Sequence, residues 1–174
     1  YSDKIKAKIR LHADSYAESQ FNDLIKIRKV VTEPNWNFPE MIVPGPLGAS
    51  ISHSLYEREG AMNNFETTVI TDIASLPNIA FWHRNLGRGK GFSINGFKSN
   101  HYPDFIVVSK SGKIIIVETK GDDRDNSDSA AKCRLGNKWA ELAGKDFLYF
   151  MVFDKKAIDG AYTVDKAKEL IKQL

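Results

Sequence analysis

Two short apolar runs, 105–108 and 114–117, are joined by Lys110-Ser111-Gly112, and this pattern predicts a β-hairpin. With Gly112 in the left-handed conformation of a three-residue loop, Ser109 pairs with Lys113 and the register sets Asp104 directly opposite Glu118. Side chains alternate along a strand, so Glu118 and Lys120 share a face while Thr119 points the other way. Two carboxylates and an amine converge at the open end of the hairpin.

The remaining pattern can be read outward from there. Residues 3–31 lack Gly and Pro and place Ile5, Ile9, His12 and Tyr16 at helical spacing. The stripe slips by one residue between Tyr16 and Phe21, which predicts a break near Ser19 or a drifting buried face. This helix is expected to pack on the domain or link it to a neighbour. Pro34, Pro39, Pro44 and Pro46 exclude helix from 32–54 and predict an extended wrapping segment. A second helix starts at Asn63, where Asn63-x-x-Glu66 matches a capping box and Met62, Phe65, Val69, Ile73 and Leu76 form a stripe with Glu66 on its flank. Pro77-Asn78 ends it, 79–85 alternates as a strand, and 86–100 is a flexible basic loop with four glycines. Pro103 stands at the first hairpin position, where a missing N–H is tolerated. A mostly acidic loop at 122–128 then leads into a helix with Ala131, Leu135, Trp139 and Leu142 on one face, closed by Gly144. The run 147–153 reads as a strand covered on both faces, and 164–174 as an amphipathic helix capped by Thr163. The expected fold is α/β, in the order helix, three strands, helix, strand, with extra helices at both ends and a right-handed parallel crossover into 147–153.

Composition sets bounds on this picture. A length of 174 residues suits one domain, divided into an N-terminal helical segment (1–31), a wrapping segment (32–59), a core (60–155) and a C-terminal helix (156–174). With 42% hydrophobic and 27% charged residues the balance is that of a globular chain. The net charge of +3 and pI near 8.9 permit a nucleic-acid partner without requiring one. The single Cys133 excludes an intrachain disulfide and fits a reducing, cytoplasmic setting. No apolar run approaches the roughly 20 residues of a membrane span. The start at Tyr1 leads to the expectation of an excerpt from a longer chain.

Asp104 and Glu118 at a strand end suit a hard divalent cation such as Mg²⁺, which prefers oxygen ligands. Lys120 on the same face could orient a water or stabilise a phosphoryl transition state. Taken singly, the three residues also fit an exposed hairpin end with a surface ion pair, worth roughly 0 to 1 kcal/mol. The capping box alone would also place Glu66. Other patterns are discounted. Asp123, Asp125 and Ser127 begin like a calcium loop, but Asp128 and Arg134 stand where Gly and Glu are needed. The four histidines show no zinc spacing, and no Walker A sequence is present, so no ATP site is expected. His101 is close enough to line the cleft, and His83 reads more simply as a structural strand histidine.

Pro103-Asp104, thirteen intervening residues (105–117), then Glu118-Thr119-Lys120 after an apolar strand resembles the PD-(D/E)XK nuclease family. NNFE, FWHRN, HYPDFIV, VETKG, KCRLGNKW and YFMVF are similar to the C-terminal endonuclease region of type III restriction enzyme Res subunits and related helicase-nucleases, over most of 50–155. The resemblance implies a restriction-endonuclease-like αβββαβ core with a mixed sheet and a Mg²⁺-dependent DNA endonuclease, with Mn²⁺ as a substitute. Asp104 and Glu118 become metal ligands, Glu66 the helix acid of the metal site, and Lys120 the catalytic lysine. Thr119 contributes only its backbone carbonyl. The implied partners are double-stranded DNA, a helicase-like ATPase region of the same longer polypeptide and a methyltransferase subunit. Candidate phosphate contacts are Arg84, Arg88 and Lys90, with Lys132, Arg134 and Lys138 expected near one helix face. Rival readings are an inactive nuclease-fold module that binds DNA or docks a motor, and a nuclease of repair or RNA processing.

Overall fold

The computed structural model describes the chain apart from residues 34, 35, 123–125 and 156. Pro34 of the wrapping segment, Asp123 and Asp125 of the discounted calcium loop, and the segment boundary at 156 therefore lie outside the described residues. In chain order the elements are α1 (Ser2–Lys26), α2 (Asn64–Ala74), β1 (Ile79–Arg84), β2 (Phe105–Ser109), β3 (Ile114–Lys120), α3 (Asn126–Ala143), β4 (Phe147–Phe153), β5 (Tyr162–Thr163) and α4 (Val164–Ile171). Among the described residues the fold is α/β, one mixed sheet in the order β1-β2-β3-β4-β5. The first two pairings are antiparallel and the last two parallel. No helix among these residues is long and apolar enough to cross a membrane.

Strand alternation splits the core in two. Phe105, Val107, Ile115 and Val117 face α2 and α4, whereas Ile106, Ile116, Met151 and Phe153 face α3. Each wholly buried aliphatic side chain contributes about 1.5–3 kcal/mol, so the two layers hold the sheet from both sides. The helix α2 is fixed by its capping box: the Glu66 N–H donates to Asn63 Oδ1 at 2.9 Å and the Asn63 N–H to Glu66 Oε2 at 3.0 Å. On the other face, α3 approaches β4 closely because residue 136 is glycine. A Cβ there would lie 2.3 Å from the Tyr149 ring.

The hairpin has the predicted register. Phe105 pairs with Val117, Val108 with Ile114, and the Ser109 N–H donates to the Lys113 carbonyl at 2.9 Å, with Gly112 at φ +84°. Three other expectations need correction. The helix α1 is continuous through Ser19, and its predicted stripe is solvent-facing, with Ile5 56% and Ile9 63% exposed. Asp14, Glu18, Phe21 and Ile25, on the opposite side of the helix, meet the domain instead. The basic loop is anchored beyond its tip: Phe92 and Ile94 are buried, and Ile94 and His101 exchange backbone hydrogen bonds of 2.8 Å. The strand β5, two residues beside Val152 and Phe153, was too short for alternation to mark it.

Candidate active site

The strand β3 carries the core's burial into its polar end. After Ile115, Ile116 and Val117 come Glu118, only 3% exposed, and the buried Thr119. Burial rules out the exposed surface pair that the sequence also allowed. Lys120 Nζ lies 2.5 Å from Glu118 Oε1, as residues two apart on one strand face permit. Glu118 Oε2 is buried without a hydrogen-bond partner among the described residues. A buried polar atom left so costs about 1–3 kcal/mol, more when charged. Burial, and then the neighbouring Asp104, push the Glu118 carboxyl up to about 8, against the opposing pull of Lys120 and Lys132.

Asp104 follows directly from the hairpin register. Its Oδ2 accepts from the Thr119 N–H and the Thr119 hydroxyl, both at 2.7 Å. Thr119 is therefore more than the carbonyl donor implied by the resemblance: its side chain locks the Asp104 carboxylate. Burial raises the Asp104 pKa, the two Thr119 bonds oppose that, and the charge of Glu66 adds to it. Hydrogen-bonded pairs alternate along an antiparallel ladder, so after 109/113, 107/115 and 105/117 the next in line would be 103/119, just past the last paired residues. Pro103 has no N–H to offer the Thr119 carbonyl at that position. The proline before Asp104 thus leaves a backbone oxygen of β3 without its ladder donor, beside two carboxylates.

Glu66 has the capping role that the sequence announces. It closes the capping box of α2, and its charge reaches Asp104. Its Oε2 also lies 3.5 Å from Arg84 Nη2, so Arg84 neutralises Glu66 rather than standing free for phosphate. Among the described residues no group of three or more His, Cys, Asp or Glu side chains is arranged to hold a metal ion, so Asp104, Glu118 and Glu66 do not close into a three-carboxylate set.

Further residues complete the surroundings. His101 Nε2 lies 2.9 Å from the Tyr149 hydroxyl, both side chains buried. Burial, and then Lys132 and Lys120, hold His101 down to about 3, and burial raises Tyr149 well above its ordinary value. Lys132 pairs with Asp128 at 2.6 Å, an i,i+4 contact legible in the sequence but overlooked. His83 is structural, as expected: Nδ1 meets Glu59 Oε1 at 3.0 Å, fastening the wrapping segment to β1.

The three basic residues of α3 do not share a face. Lys132 and Arg134 are two residues apart, about 200° around a helix of 3.6 residues per turn. Lys132 turns to the carboxylates, while Arg134 makes a two-pronged bond to Glu18 of α1, both contacts 2.7 Å. Lys138 pairs with Glu141 at 3.0 Å. Arg88 and Lys90 are exposed at the loop tip. A groove of about 620 Å³ between α1, α3 and residues 91–95 contains none of the site carboxylates. Comparison with protein-family models, with curated proteins and with solved structures gave no match.

Proposed function

We propose that the chain is a Mg²⁺-dependent DNA endonuclease domain with a restriction-endonuclease-like core, the reading its resemblance to PD-(D/E)XK nucleases implies. One observation carries it: at the open hairpin end Asp104 lies close enough to Glu118 for its charge to act on it, Lys120 is paired to Glu118, and one Glu118 oxygen is buried without a partner among the described residues. The order α2-β1-β2-β3-α3-β4 supports the same reading. The donor set suits a hard cation, with Asp104, Glu118 and the Thr119 carbonyl as the groups that would hold Mg²⁺ or Mn²⁺ and Glu66 behind them. When bound, such an ion polarises a phosphoryl oxygen and makes a coordinated water more acidic.

The chain's own residues do the rest. Thr119, with two hydrogen bonds to one oxygen, fixes the Asp104 carboxylate before substrate arrives. Lys120, 18% exposed at its side chain, presents its ammonium to the cleft, orienting the water and meeting negative charge as it grows on phosphate. The water oxygen bonds to phosphorus, a P–O bond to one sugar breaks, and the water's proton ends on the departing oxygen or in solvent. In this reading a helicase-like region of the same polypeptide and a methyltransferase subunit deliver the DNA. The Arg84–Glu66 pair favours one alternative, an inactive module that binds DNA or docks a motor, because it occupies the third acid. Supercoiled plasmid incubated with and without Mg²⁺ separates them: nicking that requires the ion supports the endonuclease, and binding without nicking supports the module.

A further inference from the structure

Residues 1–13 of the first half of α1 are all exposed, and Asp14 pairs with Lys98 of the domain at 2.7 Å. That free half carries Lys4, Lys6, Lys8 and Arg10 against the single carboxylate of Asp3. The only ion pair it makes among the described residues is a loose one, Lys6 to Asp3 at 4.0 Å.

Its direction is fixed by its anchored half. Glu18 meets Arg134, and the grooves beside α1 are lined by Phe21, Ile25 and Val31 on one wall and by Leu135, Lys138 and Leu142 on the other, so α1 and α3 advance in the same sense. The start of α3 is the end near the carboxylates, since Asp128 and Lys132 act on Lys120, His101 and Glu118. At 1.5 Å per residue, Lys4 lies roughly 21 Å before Glu18, whereas α3 begins only roughly 12 Å before Arg134. The helix therefore overhangs the site's end of the sheet. Lys4, Ala7, Arg10 and Leu11 continue its domain-facing side, and Ile5, Ile9 and Tyr16 point away.

We propose that this overhanging, cationic half of α1 is an arm for the phosphate backbone of duplex DNA, holding the strand segments beside the bond at Asp104 and Glu118. The inference rests on the endonuclease reading. Lys4 with Lys8 and Lys6 with Arg10 form two i,i+4 rows along about two turns of helix, Lys6 also lying 4.0 Å from Asp3, and each phosphate they neutralise releases counterions.

The test measures binding of the full chain to a 30-base-pair duplex over a range of salt in EDTA, and plasmid nicking with Mg²⁺. K4Q/K6Q/K8Q/R10Q is compared with wild type, with I5S/I9S and with K120A. These α1 side chains are exposed, so both α1 variants should melt at the wild-type midpoint. The arm predicts that the quadruple variant binds at least about tenfold more weakly at low salt and loses about 3 from the slope of log K against log salt. I5S/I9S should keep the wild-type slope, and K120A alone should lose nicking at saturating protein. An unchanged slope in the quadruple variant overturns the arm, and is also the result expected if an acidic protein surface is the true occupant. A lowered slope in the quadruple variant, with a wild-type chain that never nicks, leaves the arm standing and overturns the endonuclease reading.

Discussion

The two ends of the β2–β3 hairpin share one register but treat polar groups in opposite ways. At the turn, Ser109 Oγ meets Ser111 Oγ at 2.8 Å and accepts the Lys113 N–H at 3.0 Å, while Lys113 Nζ reaches Asp146 at 2.8 Å and Lys110 Nζ the Pro77 carbonyl at 2.7 Å. At the open end Glu118 is buried, tied to Lys120 and left with one oxygen unpartnered among the described residues, and Asp104 is half-buried beside it. The turn places charge in water, where partners are easily found; the open end places it where desolvation opposes it. The turn holds the strands together, and the open end carries desolvated polar groups at a cost to the fold.

Exchanging the open end's character should give the largest effect. The double substitution Glu118→Leu with Lys120→Met removes a buried ion pair, and such replacements are often neutral or stabilising by about 1–4 kcal/mol. Differential scanning calorimetry should show an equal or higher midpoint while plasmid nicking disappears. A large drop in midpoint would mean that the pair stabilises the fold and the comparison is wrong. At the turn the expected result is the reverse. Gly112→Ala places a Cβ at φ +84° and should cost about 1 kcal/mol, read as a lower denaturant midpoint with nicking unchanged.

A subtler change tests the oxygen beside Pro103. Pro103→Ala restores an N–H facing the Thr119 carbonyl, and a backbone hydrogen bond of about 1 kcal/mol there should raise the Mg²⁺ concentration for half-maximal nicking about fivefold. An unchanged Mg²⁺ requirement would remove that carbonyl from the site. A further effect is in acid. His101 titrates near 6.5 when unfolded and is held down to about 3 in the fold, where Lys120 and Lys132 oppose its protonation and Asp128 favours it. Its contribution is full above pH 6.5 and declines as pH falls toward about 3. His101→Asn should flatten that part of the stability profile measured by urea denaturation.

Much of this end was legible in the sequence because its rules are local. Loop length and Gly112 set the register from Ser109 to Phe105, the residue next to Asp104. Asn63 and Glu66 are three residues apart, so the cap needed no tertiary information. What escaped depended on distant partners. The Ile5–Ile9–Tyr16 stripe has helical spacing, but spacing does not say which side meets the domain; that was decided by Glu18 finding Arg134, 116 residues away. Arg84 was read as a phosphate contact because nothing nearby in the sequence announced Glu66 as its partner. Thr119 points its hydroxyl at Asp104 only because that residue lies just beyond the last β2 pair, where the ladder no longer dictates direction. The error over Lys132 and Arg134 was different, since residues two apart never share a helix face.

Mg²⁺-dependent nicking of supercoiled plasmid by the wild-type chain beside Asp104→Ala and Lys120→Ala tests the central claim most directly. Nicking by wild type only when Mg²⁺ is present, lowered at least about a hundredfold in both variants with their melting midpoints retained, is the predicted result. Equal nicking by either variant, or nicking by wild type that is indifferent to Mg²⁺, would contradict it.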